Sequence, residues 1–289
     1  MTDFSTTAVL FPGQGSQTPE MRDDVERLRP DLLELALDEL GTDPFERVTE
    51  GTRFAQPAIY CASVAGWERL GRPPVAALAG HSLGEFAALV AAEALGAEDG
   101  LRLVALRGRL MDEAAAAAGD GGMLALLGKD AQASAPALAH RHGVSVANDN
   151  APGQIVMSGA VDRLDAAATE AKASGLRTIR LAVAGAFHSP AMASAAPAFE
   201  AALAEVEFRE PRTPVVSSIT TEPLADPRPA LLAGLTEPVR WRQTLIALSA
   251  TGVTRFVDAG PGKVLAGLAS RTLDGVVVET VETLEAARV

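Results

Sequence analysis

Cysteine and aromatic residues are scarce in this sequence. Cys61 is the single cysteine among 289 residues, so no disulfide can form within the chain. It falls in a helix predicted from Tyr60 to Leu70, which favours a small buried core residue over a reactive thiol. Aromatic side chains make up 4% of the chain and alanine is abundant. The predicted core is therefore built largely from small, closely packed aliphatic side chains.

Positive charge is also in short supply. The chain has three lysines and a net charge of −12, which excludes the basic surface of a general nucleic-acid-binding protein. No basic leader followed by an apolar run opens the sequence. The long uncharged stretch at residues 181–199 contains His188 and two prolines, so it does not predict a membrane span. We expect a cytoplasmic protein without membrane, nucleic-acid or metal partners.

Two short apolar runs end in glycine-rich turns. Residues 8–11 lead into Pro-Gly-Gln-Gly-Ser-Gln, and residues 75–79 lead into Gly-His-Ser-Leu-Gly. Each pattern is typical of a buried strand that empties into a loop. An alanine- and leucine-rich helix is predicted over residues 85–95, directly after the second turn. This alternation of strands and helices indicates an α/β fold.

The middle of the chain has a different rhythm. Between residues 121 and 184, predicted elements follow in the order β-α-β-β-α-β, and the last of them is a strand at 178–183. This order is that of a ferredoxin-like module. Larger α/β architecture then resumes. We therefore expect a catalytic domain formed by residues 1–120 and 185–289, with a small ferredoxin-like domain at 121–184 inserted between them.

The turn at residues 80–84 predicts a nucleophile. Gly80-His81-Ser82-Leu83-Gly84 fits Gly-x-Ser-x-Gly and lies between a predicted strand and a predicted helix. That setting is the one a nucleophile elbow requires. The following helix would direct free N–H groups and its positive dipole end toward the serine oxygen. Ser82 is the predicted nucleophile, against the alternative of an ordinary serine in a tight turn.

A serine hydroxyl needs a base, and the chain has four histidines. His81 adjoins Ser82, but its side chain should leave the turn in another direction. His140 and His142 end a predicted helix, where a cation favours the dipole, so both are expected at the surface. His188 follows the last strand of the predicted insert and could face a cleft. By elimination, His188 is the predicted base.

Acyl transfer also needs donors for a tetrahedral oxyanion. The N–H of Leu83, directly after the serine, is one natural donor. The glycine-rich loop at residues 11–17 is the best source of a second, although a plain strand-ending turn is the alternative. Its glycines match a phosphate-binding loop only weakly, because Gly-x-x-x-x-Gly-Lys-Ser/Thr is absent.

Seven segments together resemble a known family. They are FPGQGSQ at 11–17, GHSLGE at 80–85, RGRLM at 107–111, NAPGQ at 150–154, GAFHSPAM at 185–192, EPVRW at 237–241 and GPGKVL at 260–265. In this order and spacing they are similar to the malonyl-CoA:acyl carrier protein transacylases of bacterial fatty acid synthesis. The acyltransferase domains of polyketide synthases are close relatives. The resemblance covers nearly the whole chain.

The resemblance implies a site and a reaction. Ser82 would carry a malonyl ester, His188 would be its base, and the N–H groups of Gln14 and Leu83 would form the oxyanion hole. Arg107, 25 residues after the serine, matches an arginine that grips the free malonyl carboxylate, a task for which a guanidinium is suited. Phe187 before the base favours malonyl over methylmalonyl.

Fold and partners follow from the same resemblance. It implies an α/β-hydrolase-like domain with the ferredoxin-like insert and the active site between them. Malonyl-CoA would be a substrate and an acidic acyl carrier protein the acceptor, with no bound cofactor. We expect a monomer, and place a basic docking patch at Lys172, Arg177 and Arg180.

One position departs from the family. Many bacterial relatives have a glutamine near the Pro-Val-Arg-Trp segment, whose main-chain carbonyl orients the histidine. Counting back from Pro238 puts Gly234 there. A main-chain acceptor tolerates a changed side chain, so Gly234 is the expected orienting group, although the flexibility of glycine leaves this open.

The residues leave three alternative functions to consider. The chain could be the malonyl transferase of a malonate decarboxylase or of a polyketide pathway. It could be a serine hydrolase, but such an enzyme usually places an acidic residue on its histidine, in the order Ser, Asp or Glu, His. A scaffold that kept the fold without activity is disfavoured because Ser82 and His188 are both present.

Overall fold

The computed structural model describes residues 3–286, which form a mixed α/β fold with two separate sheets. One sheet is parallel, with strand order β7-β2-β1-β8-β9: β1 Thr7–Phe11, β2 Ala77–Gly80, β7 Val215–Val216, β8 Arg255–Asp258 and β9 Val277–Thr280. The other is antiparallel, with order β4-β5-β3-β6: β3 Gly121–Leu127, β4 Ser145–Ala151, β5 Gln154–Ala160 and β6 Arg177–Arg180. The predicted α/β class is confirmed.

Twelve helices are described around these sheets. They are α1 Met21–Leu28, α2 Pro30–Leu40, α3 Thr52–Leu70, α4 Gly84–Ala91, α5 Ala97–Ala118, α6 Ala131–His142, α7 Val161–Ala173, α8 Ala196–Glu205, α9 Arg228–Ala233, α10 Trp241–Ala250, α11 Val264–Thr272 and α12 Val281–Ala286, with a 3₁₀ helix at Pro190–Ala195. Within residues 3–286, none of them combines the length and apolar character needed to span a bilayer.

The parallel sheet places two loops side by side. Every residue of β1 and β2 is buried, as expected for a parallel sheet covered on both faces. The two strands pair with Phe11 opposite Gly80. Their carboxyl ends therefore meet at one edge, where open α/β sheets bind ligands. The glycine-rich loop after β1 and the predicted elbow after β2 become neighbours there.

The antiparallel sheet has a core of its own. Its elements follow in the predicted order β-α-β-β-α-β, from β3 to β6. One face packs on α6 and α7 through a cluster of buried residues that includes Leu126, Leu138, Met157 and Leu164. This unit therefore buries apolar side chains without help from the parallel sheet.

The segment at residues 239–242 fastens one sheet to the other. Val239 donates its N–H to the Ala147 carbonyl at 2.8 Å and accepts from the Asp149 N–H at 2.8 Å. The guanidinium of Arg242 pairs with the Asp149 carboxylate at 2.7 Å. The start of α10 is thereby tied to β4 by main-chain and ionic contacts.

Several predicted elements differ in length from those observed. The predicted strand at 178–183 ends at Arg180, and one further hydrogen bond, from the Leu181 N–H to the Met123 carbonyl of β3, follows before residues 182–183 leave the sheet. The helix predicted from Tyr60 begins eight residues earlier, at Thr52, and contains Pro57. Cys61 is fully buried inside that helix, as predicted.

The close approach of α4 to β1 yields a stability prediction. A Cβ on Gly84, the first residue of α4, would overlap the carbonyl oxygen of Phe11. Gly84→Ala should therefore destabilise the fold by about 1–3 kcal/mol, the usual cost of overpacking, as measured by urea unfolding.

The matched control is Gly267→Ala, inside α11. A Cβ on Gly267 would meet no atom within 4 Å, so alanine should stabilise by up to about 1 kcal/mol through its helix propensity. If Gly84→Ala unfolds at the same urea concentration as Gly267→Ala, the close approach is not a constraint.

Candidate active site

Ser82 lies at the tip of a strained turn between β2 and α4. Its φ is +53°, in the left-handed region that non-glycine residues rarely occupy. A Cβ on Gly80 would overlap the backbone of Gly84, so the turn can close only with glycine at position 80. Such strain, about 1–3 kcal/mol per residue, clusters at functional sites.

His188 faces Ser82 from 106 residues further along the chain. Its Nε2 lies 2.9 Å from Ser82 Oγ, and its Nδ1 lies 3.2 Å from the main-chain oxygen of Glu237. A carbonyl oxygen can only accept, so Nδ1 carries the proton and Nε2 presents a lone pair to the hydroxyl. His188 is also left-handed, with φ of +55°. The structure therefore brings the predicted nucleophile and base together in a proton-accepting tautomer.

The imidazole of His188 is held in its neutral form. Burial lowers the pKa of His188 to about 3, and the nearby Arg107 cation and His81 act in the same direction. Carbonyl groups at Glu237 and Gly234 raise that pKa, but by less. A neutral imidazole is the form that accepts a proton from a hydroxyl.

The orienting carbonyl differs in part from the prediction. The hydrogen bond from His188 Nδ1 goes to Glu237, three residues after Gly234. The Gly234 carbonyl accepts from Arg107 Nη2 at 3.2 Å instead. It still contributes to the electrostatics of His188 as a second nearby carbonyl. The turn after α9 thus supplies two acceptors, and counting along the sequence located the turn but not the residue.

In the part of the chain that the structure describes, the side chains of the other three histidines form no hydrogen bond with this pair. His81 turns from Ser82 to place its Nε2 2.9 Å from Asn150 Oδ1, with its ring 5.4 Å from that of Trp241. His140 is exposed at the end of α6, and His142 lies 2.8 Å from a carboxylate oxygen of Glu170.

Two residues that line the cavity of Ser82 carry main-chain N–H groups that are unpaired within the described chain. Leu83 directly precedes α4, and Gln14 lies in the loop after β1. Among the hydrogen bonds within residues 3–286, neither N–H has an acceptor. Both residues line the same cavity as Ser82. Unpaired N–H groups at such a position are what an oxyanion hole needs.

Arg107 is a buried cation held by neutral groups. Its side chain projects from α5 and is 3% exposed. Nη1 donates to Gln56 Oε1 at 2.7 Å, and Nη2 donates to Ser82 Oγ and the Gly234 carbonyl, each at 3.2 Å. Burial lowers the pKa of Arg107 to about 10, so the guanidinium stays charged at neutral pH. No carboxylate of the described chain forms an ion pair with it.

A cavity of about 310 Å³ joins these groups. Its apolar wall includes Met111, Met123, Val156 and Phe187. Among the described residues that line it, Arg107 is the one permanently charged group. The cavity can therefore accommodate a small acyl group, and its electrostatics favour one with a negative charge.

Supporting residues were missed in the sequence. Glu85 is buried at the start of α4 and accepts hydrogen bonds from Ser217 and from Ser218, whose hydroxyl in turn accepts from the Ser82 N–H at 3.3 Å. Burial raises the pKa of Glu85. An acid directly after the second motif glycine is a signal for Glu85, whereas no local pattern indicates Ser218.

Comparisons with known proteins agree with this geometry. Residues 8–287 match the family model described as the acyl transferase domain. The chain belongs to this acyl transferase family. It is 38% identical to malonyl CoA-acyl carrier protein transacylase of Bacillus subtilis over 98% of this chain and 96% of that protein.

A longer relative is also similar. Polyketide biosynthesis protein ThaF of Burkholderia thailandensis is 40% identical over 93% of this chain, which spans 24% of that protein.

Solved acyl transferase structures share the fold. The malonyl-CoA:acyl carrier protein transacylase of Xanthomonas oryzae superposes with a TM-score of 0.89 and 37% identity, covering 99% of this chain and 98% of that one. A second similar structure is PlMCAT:AntF, a type II PKS acyl-carrier protein in complex with its malonyl-transacylase. It superposes with a TM-score of 0.85 and 34% identity, covering 96% of this chain and 95% of that one.

The environment of His188 in this acyl transferase leads to a pH prediction. Because burial and the Arg107 cation lower its pKa to about 3, the ring should remain neutral, with its proton on Nδ1, from pH 8 to pH 5. NMR of the imidazole nitrogens would measure this, with His188→Asn to assign the signals. A titration midpoint near 6.5, the value of an unperturbed histidine, would contradict the prediction.

Proposed function

We propose that this acyl transferase moves a malonyl group from malonyl-CoA to the phosphopantetheine thiol of an acyl carrier protein. The intermediate is a malonyl ester on Ser82. The relatives from Bacillus subtilis and Xanthomonas oryzae carry this activity in their names, and the geometry around Ser82 supplies a residue for each step. Malonyl-CoA enters as a substrate and the carrier protein is the partner.

The buried charge of Arg107 carries the assignment to malonyl. A cation removed from water is costly unless an anion compensates it. The side-chain partners of Arg107 are neutral, and its Nε has no hydrogen-bond partner within the described chain. A malonyl thioester retains one free carboxylate, and a guanidinium binds a carboxylate bidentately. The substrate would therefore provide the anion that the protein does not.

The chemistry follows from the positions of the groups. Ser82 Oγ attacks the thioester carbonyl while His188 Nε2 accepts the hydroxyl proton. The resulting oxyanion is stabilised by the N–H groups of Gln14 and Leu83. Collapse of the tetrahedral intermediate breaks the C–S bond, and His188 returns the proton to the departing coenzyme A thiolate. The carrier thiol then attacks the ester by the same sequence.

The group on His188 Nδ1 favours transfer over hydrolysis. Serine hydrolases of this type usually place a carboxylate there, whereas His188 donates to the main-chain oxygen of Glu237. A neutral acceptor fixes the tautomer without adding negative charge beside the ring. This supports the transferase over the hydrolase considered from the sequence.

We also propose a division of the chain into two domains. Residues 1–120 and 185–289 form an α/β-hydrolase-like catalytic domain, whose first two and last three residues lie outside the described range. Residues 121–184 form a ferredoxin-like domain. The separate antiparallel sheet and its own apolar cluster support this division.

The carrier is proposed to dock along β6. This edge strand presents Arg177 and Arg180, with Ile179 between them 45% exposed. Arg180 is paired with Asp165, whereas Lys172 and Arg177 form no ion pair with described residues. Residues 181–183 continue from β6 into the lining of the cavity. An acidic carrier bound there would hold its thiol near Ser82.

Intact-protein mass spectrometry tests the proposed reaction. Malonyl-CoA should add one malonyl mass to the enzyme, and a holo acyl carrier protein should remove it. Ser82→Ala should abolish labelling because, within the described residues, Ser82 supplies the hydroxyl that meets His188 Nε2. Labelling that persists in Ser82→Ala would refute the role of Ser82.

Acyl selectivity tests the role of Arg107. Loss of one member of a desolvated charge pair costs roughly 2–5 kcal/mol, or about 30- to 5,000-fold in rate. Arg107→Ala should therefore lose malonyl transfer by that factor, while acetyl transfer holds or rises because the unpaired cation is gone. The measurement is kcat/KM for malonyl-CoA and acetyl-CoA.

Arg109→Ala is the matched control. Arg109 lies on the same helix, but it is exposed and pairs with Glu113. Both rates should stay near those of the wild type. An unchanged malonyl-to-acetyl ratio in Arg107→Ala would show that Arg107 does not bind the carboxylate.

A further inference from the structure

Three side-chain hydrogen bonds run from Arg107 to the glycine-rich loop. Arg107 Nη1 donates to Gln56 Oε1 at 2.7 Å, and Gln56 Nε2 lies 2.8 Å from Thr52 Oγ1. Thr52 Oγ1 lies 3.0 Å from Gln14 Oε1. Thr52 and Gln56 are each 2% exposed, one turn apart at the start of α3. The carboxylate-binding group and the loop that carries an oxyanion donor are thus connected.

The guanidinium of Arg107 determines which group donates in each of these three hydrogen bonds. Arginine can only donate, so the carbonyl end of the Gln56 amide must face it. The NH₂ end of Gln56 must then face Thr52, whose oxygen accepts. The single hydroxyl hydrogen of Thr52 is left for Gln14 Oε1. Thr52 therefore accepts from one neighbour and donates to the next, a pair of tasks that valine, of nearly the same shape, cannot perform.

The loop depends on this contact. Ser16 Oγ donates to the Gly13 carbonyl and the Gly15 N–H donates to Gln17 Oε1, but both bonds are internal to the loop. Within residues 3–286, the bond from Thr52 is the hydrogen bond that joins residues 13–17 to another element. Gln14 itself is exposed. The Thr52 contact is therefore the hydrogen bond that holds the Gln14 side chain to another element of the described chain.

We propose that Thr52 is a positioning residue for acyl transfer. Its hydroxyl holds Gln14 so that the Gln14 N–H points at the oxyanion, and its contact with Gln56 connects that position to Arg107. The inference rests on the proposed function. Removing one oxyanion donor outright costs about 10²–10³-fold in kcat, and a loosened donor retains part of its effect. A loss of about 10- to 100-fold is therefore expected when the Thr52 hydroxyl is removed.

Single-turnover formation of the malonyl ester on Ser82 measures this effect. Thr52→Val should lower the limiting acylation rate by about 10- to 100-fold with little change in KM, because the substrate carboxylate still meets Arg107. Thr52→Ser keeps the hydroxyl and should restore the rate. A Thr52→Val enzyme with the wild-type rate, or a Thr52→Ser enzyme as slow as Thr52→Val, overturns the proposal.

A double-mutant cycle separates positioning from general stability. Gln14→Ala keeps the main-chain N–H but removes the acceptor of the Thr52 hydroxyl. If Thr52 acts through Gln14, adding Thr52→Val to Gln14→Ala should cause no further loss, since coupled residues are not additive. Losses that multiply in the double variant would show that Thr52 acts by another route, and the proposal would fail.

Thr272→Val is the control for removing a threonine hydroxyl elsewhere. Thr272 is half-buried, its Oγ1 donates to the Leu268 carbonyl at 2.8 Å within α11, and it does not line the cavity. Its acylation rate should match the wild type even if its melting temperature falls as far as that of Thr52→Val. A wild-type enzyme that forms no malonyl ester would refute the proposed function itself, whereas ester formation unaffected by Thr52→Val refutes only the positioning role.

Discussion

A buried cation without a resident counter-ion is the constraint around which this active site is organised. Arg107 is surrounded by an amide oxygen, a main-chain oxygen and the Ser82 hydroxyl. Each of these acceptors comes from a different part of the chain. Glu85 acts on the guanidinium only through space. The protein therefore tolerates a cation without an ion-pair partner in an otherwise neutral cavity, and one of the acceptors of that cation is the nucleophile itself.

The same cation influences the base. Arg107 lowers the pKa of His188, because a second positive charge nearby is unfavourable. An anion bound at Arg107 would offset that repulsion. The imidazole then becomes a stronger base when a carboxylate-bearing substrate is present than when the cavity is empty. Recognition of the acyl group and activation of the hydroxyl are in this way served by one electrostatic field.

Local sequence patterns were sufficient for much of this architecture. A glycine-bounded serine between a strand and a helix located Ser82, and elimination among four histidines located His188. The β-α-β-β-α-β order of the middle segment could also be predicted, because each helix and strand there has its own hydrophobic periodicity. These features depend on residues that are neighbours in sequence, so local patterns were enough to predict them.

The remaining features depend on contacts between distant segments. The helix predicted from Tyr60 in fact begins at Thr52, and its first turns place Thr52 and Gln56 beside the site. Glu237 rather than Gly234 accepts from His188 because the turn after α9 decides which carbonyl faces the ring. The strand predicted to reach Val183 ends at Arg180, and after one more hydrogen bond from Leu181 to β3 the chain turns to line the cavity. None of these outcomes has a local signal.

The short segment after α9 also has a mechanical consequence. Glu237 accepts from the base, Val239 joins the antiparallel sheet, and Trp241 packs against His81, all within five residues. A hinge motion of one sheet against the other would pull on the segment that holds the imidazole. A motion that opens the cleft between the two sheets would therefore also move the His188 imidazole out of alignment with Ser82. Turnover in this enzyme should therefore favour a rigid cleft that long substrates enter end-on over a cleft that opens and closes in each cycle.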